Sequence, residues 1–184
     1  MQKGMTLVEL LVAIVVAVIL ISVALPSYQL MKTNQEIESN SKLIYSYLQR
    51  VKHIADNANS VVRVYAINDL SGYCFVAVYQ AQTADKDKCE SPSGLPVLKH
   101  KTSKILKISV NGGGLPASPA SPAPPASLLF TFNGIRGLAG ASNVVIGAPN
   151  ISGAADRKIF ISSVARLREC KLTTTDNPGG QVCS

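Results

Sequence analysis

The sequence predicts an α+β fold: a long amino-terminal helix, membrane-spanning in its first half, packed on an antiparallel β-sheet domain. Three observations predict it. Met5 to Leu25 is an apolar run carrying a single charge, Glu9. Ile37, Ile44, Leu48, Val51, Ala55 and Ala58 then recur at helical spacing. From Val61 onward the period switches to two, in short β-branched and aromatic runs separated by Gly, Asn, Asp and Pro.

The first element covers residues 5–25. At 1.5 Å per residue its roughly 21 residues make about 31 Å of helix, enough to cross a hydrocarbon core. An ionised carboxylate inside that run costs on the order of a few kcal/mol on insertion scales, so Glu9 needs a partner charge or an interface that relieves it. No Ala-x-Ala pattern follows the apolar run, so an ordinary secretory signal with its cleavage site after the run is not indicated. Pro26 comes next. It lacks an N–H and crowds the preceding turn, which predicts a kink or a locally melted stretch at the membrane exit.

Residues 26–59 read as an amphipathic continuation of the helix, ending near Asn57 to Ser60. Its apolar stripe calls for a partner, and the β-rich sequence that follows supplies one. Strands are expected at Val61 to Ile67, Tyr73 to Tyr79, Ile105 to Val110, Leu128 to Phe132, Val144 to Ala148 and Ile159 to Ser163. Leu106, Ile108 and Val110 alternate with Lys107 and Ser109, as a sheet with one buried face requires. Residues 60–184 therefore form one β-rich domain, two small sheets or one folded sheet, laid on the helix. Within it, residues 111–127 hold half of the ten prolines and a triple glycine. Such a segment builds no regular ladder and reads as a partly polyproline-like loop. Its glycines lack the Gly-Lys-Ser/Thr ending of a phosphate-binding loop.

Charge is unevenly placed. Ahead of Lys99 eight Lys and Arg balance eight Asp and Glu, whereas from Lys99 onward ten face three, so all of the net +7 lies in the second half. That asymmetry points to a polyanion or an acidic partner surface, or to a solvated face. The four cysteines, Cys74, Cys89, Cys170 and Cys183, form no Cys-x-x-Cys pair, which argues for disulfides in an exported domain. Three connectivities exist. Cys74–Cys89 and Cys170–Cys183 each close a short polar loop, worth about 3 kcal/mol if unstrained.

Gly4 followed by Met5, with Glu9 five residues after the glycine and Pro26 beyond, resembles the class III signal of type IV pilins and pseudopilins. The resemblance implies a four-residue leader, residues 1–4, removed after Gly4 by a prepilin peptidase that also methylates the new amino terminus at Met5. It implies a single-pass inner-membrane protein with its carboxy-terminal domain in the periplasm, which then enters a filament with other pilin or pseudopilin subunits. Met5 stands where the family usually has Phe. Glu9 and Pro26 are the residues expected to serve assembly, Glu9 by meeting the positive amine of its own or a neighbouring chain.

Leu129-Phe-Thr-Phe-Asn-Gly-Ile-Arg-Gly137 and Ile159-Phe-Ile-Ser-Ser-Val-Ala-Arg-Leu-Arg-Glu-Cys170 are similar to patterns of the GspH/FimT minor pilins and pseudopilins. In that family a Gly-Arg-x-Arg turn joins the last two strands, and some members bind DNA through it. Ala165 here replaces the glycine, which puts the turn's positive φ in question. Arg166 and Arg168, two apart, share a face of an extended chain, with Lys171 nearby. They contact DNA phosphates, pair with Asp156 or Glu169, or stay hydrated. Enzymatic chemistry has little support: His53 and His100 lack metal-ligand spacing to other donors, no nucleophile elbow is present, and neither cofactor nor metal is expected.

Overall fold

The computed structural model describes residues 7–69, 72–82, 89, 94–101, 106–110, 113–114 and 127–172. Helix α1 spans Leu7–Asn57 and is continuous through Pro26, so no melted stretch breaks the ladder there. Two residues beyond its end comes Asn59, whose φ of 45° places it in the left-handed region. Ser60 N–H donates to Ala55 O at 3.2 Å and Asn59 N–H to Asp56 O at 3.3 Å, the paired bonds that close a helix carboxyl end. Asparagine tolerates this conformation better than most residues, which explains why the helix stops here.

Ten strands follow: β1 Val61–Asp69, β2 Gly72–Tyr79, β3 Val97–Lys101, β4 Lys107–Val110, β5 Gly113–Gly114, β6 Ser127–Asn133, β7 Leu138–Ala139, β8 Ser142–Gly147, β9 Arg157–Ile161 and β10 Leu167–Lys171. They form two antiparallel five-stranded sheets, ordered β3-β2-β1-β6-β7 and β10-β9-β8-β4-β5. All six expected strands exist, and the reading as two small sheets holds. Gly113 and Gly114 correct the expectation for residues 111–127: they pair with Val110 and Ser109 in a short hairpin at a sheet edge. Residues 115–126 of that loop lie outside the described residues.

The helix packs against both sheets. Ile37, Ile44, Leu48, Val51 and Ala55 are buried, and they share one core with Val62, Val64, Phe75, Phe130 and Phe132 of the first sheet and Val144, Ile146, Ile159 and Ile161 of the second. Each large aliphatic side chain so buried is worth about 1.5–3 kcal/mol. Ala58, expected in the stripe, is exposed, because the helix has ended by then. Tyr47 joins the core instead, its hydroxyl donating to Phe75 O at 3.2 Å and Pro96 O at 3.0 Å. On the outer face of the first sheet Tyr65, Ile67, Cys74, Val76 and Val78 form a second cluster, with Cys89 and Val97 packed on it. Cys74 is disulfide-bonded to Cys89, as the loop lengths predict. Cys170 is also in a disulfide; Cys183, the partner expected for it, lies outside the described residues.

Polar contacts fix the helix against the second sheet. Asn34 Oδ1 accepts from Ala155 N–H at 2.9 Å, and Ser41 donates to Glu169 Oε1 at 2.8 Å. Arg157 bridges Glu169 at 3.1 Å and Glu38 at 3.2 Å. Lys42 is the main influence that lowers the Glu38 pKa, followed by Arg157. The Asp156 carboxyl is shifted upward by burial, a shift that the Ala148 backbone hydrogen bond partly offsets.

Candidate functional site

Two regions carry chemistry that the core does not use, and α1 contributes to both. The first is its amino-terminal part. Leu7, Val8, Leu10, Leu11, Val12 and Ile14 begin a run of exposed apolar side chains that continues to Ile21. From Leu7 to Ile21 none of it is buried. Ile14, Val15, Val16, Val18 and Ile19 are β-branched, a composition that in water favours strands. In hydrocarbon the helix is favoured because every backbone group is satisfied within the segment. Glu9 lies in the first turn of the described helix, exposed on this apolar surface. Any cover over the segment, lipid or another helix, therefore also covers a carboxylate. Gly4 and Met5 lie outside the described residues, as do the side chain of Pro26 and residues 1–6 in general.

The second region is a groove of about 490 Å³ between the last turns of α1 and the β9–β10 turn. Lys52, His53 and Asp56 line one wall, and Ala165, Arg166 and Arg168 the other. Asn57 Nδ2 donates to His53 Nδ1 at 2.9 Å. The turn is compact: Ala165 N–H donates to Ser162 O at 2.9 Å, Ser162 N–H to Arg166 O at 3.0 Å, and Arg166 N–H to Ser162 Oγ at 3.3 Å. Ala165 does what a glycine would do there, with φ at 53°, while its methyl is buried. The substitution of alanine for glycine thus leaves the turn intact, at a backbone cost of about 1–2 kcal/mol.

Arg166 and Arg168 are brought together at the groove, both exposed. Among the described residues neither makes an ion pair: Asp56 lines the facing wall without bridging to them, Glu169 is held by Arg157 and Ser41, and Asp156 accepts from the Ala148 backbone. Lys171 is not brought to them. Strand alternation puts it on the face of β10 shared with Glu169, where its charge acts on Glu38. The sequence weighs His53 only as a metal or catalytic candidate and gives no place in a site to Lys52 or Asp56, because a polar helix face gives no signal of what packs beside it. Among the described residues no cluster of His, Cys, Asp and Glu is arranged to hold a metal ion.

Comparison with known proteins adds a motif and a distant likeness. Residues 1–25 match the family of the prokaryotic N-terminal methylation motif, so the chain carries that signal. No curated protein matches the chain. Among solved structures, the minor pseudopilin EpsH from the Type 2 Secretion System of Vibrio cholerae aligns with 77% of this chain and 99% of its own, at 14% identity and a TM-score of 0.48.

Proposed function

We propose that this chain, which bears a methylation motif ahead of an uncovered apolar helix, is a minor pilin or pseudopilin. In this reading it is a structural subunit of a type IV pilus or a type II secretion pseudopilus, not an enzyme. A prepilin peptidase removes residues 1–4 after Gly4 and methylates Met5. Residues 5–25 hold the protein in the inner membrane, residues 26–59 carry the helix into the head, and residues 60–184 form the periplasmic domain.

The observation that supports this best is the division of a single helix into two environments. From Leu7 to Ile21 its large apolar side chains are half-exposed or more, whereas from Ile37 to Ala55 a stripe of the same helix is almost wholly buried. A helix built this way needs an apolar medium for its first half, first lipid and then the helices of neighbouring subunits. Transfer between the two exchanges one apolar surround for another, so register has to come from polar groups. Glu9 supplies one. At 4 Å from an amine, with an effective dielectric constant near 20, the pair gains about 4 kcal/mol before desolvation takes back part of it. Glu9→Ala is expected to leave cleavage of the leader unchanged and to remove the protein from sheared filaments. Recovery of that variant in filaments at the wild-type level would refute the assembly role.

A second reading, DNA binding in natural transformation, draws on Arg166 and Arg168. They are exposed, free of ion pairs among the described residues, and presented by a turn whose backbone has the glycine-like conformation. Phosphate contacts of this kind are independent of sequence and weaken steeply with salt. The full chain in detergent is expected to shift a DNA probe at low salt, and Arg166→Gln with Arg168→Gln to abolish the shift. A shift that survives the double substitution removes these residues from the reading.

A further inference from the structure

Outside α1, four large hydrophobic side chains are exposed among the described residues: Leu128, Ile135, Leu138 and Val164. Three of them lie on two neighbouring turns at one end of the head. Ile135 is in the turn between β6 and β7, Leu138 begins β7, and Val164 is in the β9–β10 turn; they are 67%, 43% and 56% exposed. Ala139 N–H donates to Ser163 O at 3.0 Å, which sets the two turns side by side although they belong to different sheets. Gly134 N–H donates to Ser60 O at 3.1 Å and ties the first turn to the carboxyl end of α1. The apolar trio therefore sits at the end of the helix away from the exposed segment Leu7 to Ile21, about 75 Å from Leu7 along the axis.

Cations accompany the trio. Arg136 is in the first turn, Arg166 is in the second, Arg168 is on β10 just after it, and none has an ion pair among the described residues. Nucleic acid accounts for the arginines alone, since phosphate contacts gain nothing from an exposed isoleucine, leucine and valine. A central apolar anchor with a charged rim is the anatomy of a protein interface. The occupant is not a second copy, because the chain carries +7, with its excess in the half that supplies these turns. Two such surfaces repel.

We infer that the Ile135, Leu138 and Val164 surface docks an acidic, apolar-centred face of a different filament subunit, the one placed beyond this head on the side away from the membrane. This rests on the filament reading above. The test is a photo-crosslinking residue at position 135 of the full chain, expressed in cells that make the whole filament, with position 107 on β4 as an exposed control site. The expected result is an adduct at 135, absent at 107, whose second component is a different protein with its own methylation-motif helix and an acidic head. Arg136→Glu with Arg166→Glu, and separately Val164→Asp, are expected to lower its yield by at least about tenfold. An adduct with a second copy or with nucleic acid, no adduct, or a yield unmoved by both variants overturns the inference. If wild-type protein is present in sheared filaments and the adduct fails, only the docking surface is lost. Absence of the protein from filaments sinks both this inference and the reading beneath it.

Discussion

Gly134 lets the β6–β7 turn lie against the carboxyl end of α1, and replacing it with alanine tests that junction. A Cβ built there falls on the carbonyl group of Ala55 and comes within 2.9 Å of the Asp56 nitrogen. Overpacking costs about 1–3 kcal/mol when side chains can shift. Here both colliding groups are main chain, one in the last turns of α1 and the other in a turn pinned by the bond from Gly134 N–H to Ser60 O, so about 3 kcal/mol is expected. For a head of about 150 residues that lowers Tm by about 6–12 °C. Gly137 is the control, three residues on in the same turn. Its Cβ would meet nothing within 4 Å, and its φ of 61° alone costs an alanine about 1 kcal/mol, or about 2–4 °C. Thermal unfolding of the full chain in detergent, followed by circular dichroism, compares the two. Gly134→Ala melting within about 2 °C of wild type, or Gly137→Ala melting lower than Gly134→Ala, would refute the close approach that the packing argument depends on.

Tyr47→Phe is expected to cost about 1–2 kcal/mol in denaturant unfolding, since the Phe75 and Pro96 carbonyls lose a buried donor. Burial also holds the Tyr47 phenol well above its ordinary value of 10.0, so the folded state keeps its proton while the unfolded chain ionises. Stability should therefore be full below about pH 10 and fall above it, with a smaller fall in Tyr47→Phe; equal alkaline slopes would contradict that assignment. Ala165→Gly relieves about 1–2 kcal/mol of backbone strain but loses a buried methyl and adds freedom to the unfolded chain, so its stability should stay within about 1 kcal/mol of wild type. Ala165→Val, a buried β-branched residue at positive φ, should lose about 2–3 kcal/mol, and a neutral result would show that the turn is not left-handed at 165.

Features that depend on local patterning were readable directly from the residues. The helix stripe from Ile37 to Ala55 and six strands follow from periodicity, and Cys74–Cys89 follows from the short loop it closes. What escaped depends on partners far away in sequence. Val97–Lys101 is a strand because it pairs with β2; its own Lys99-His100-Lys101 shows no apolar alternation. Gly113 and Gly114 form a strand only through the ladder offered by β4. Ser41 is buried where Glu169, 128 residues away, accepts a hydrogen bond from its hydroxyl, a pairing invisible to any window on the helix. Thr33 is buried too, its hydroxyl bonded to Gln29 O one turn back. In the candidate site, Arg166 and Arg168 were legible from the resemblance of their turn to a known family pattern, with the spacing of two setting them on one face, whereas the Lys52 wall required knowing which helix face meets the β9–β10 turn. Lys171 was grouped with the arginines by proximity alone, and the odd spacing from Arg168 places it on the other face of β10.

The proposed function has the helix leave the membrane by joining others like it, and that proposal requires a new amino terminus next to Glu9. Intact-mass and amino-terminal peptide spectrometry of the full-length protein purified from membranes tests this most directly. The account predicts a chain lacking Met1 to Gly4 that begins at a methylated Met5 and retains the whole apolar segment. A chain that still carries Met1, or one cut on the far side of Leu25, would contradict it.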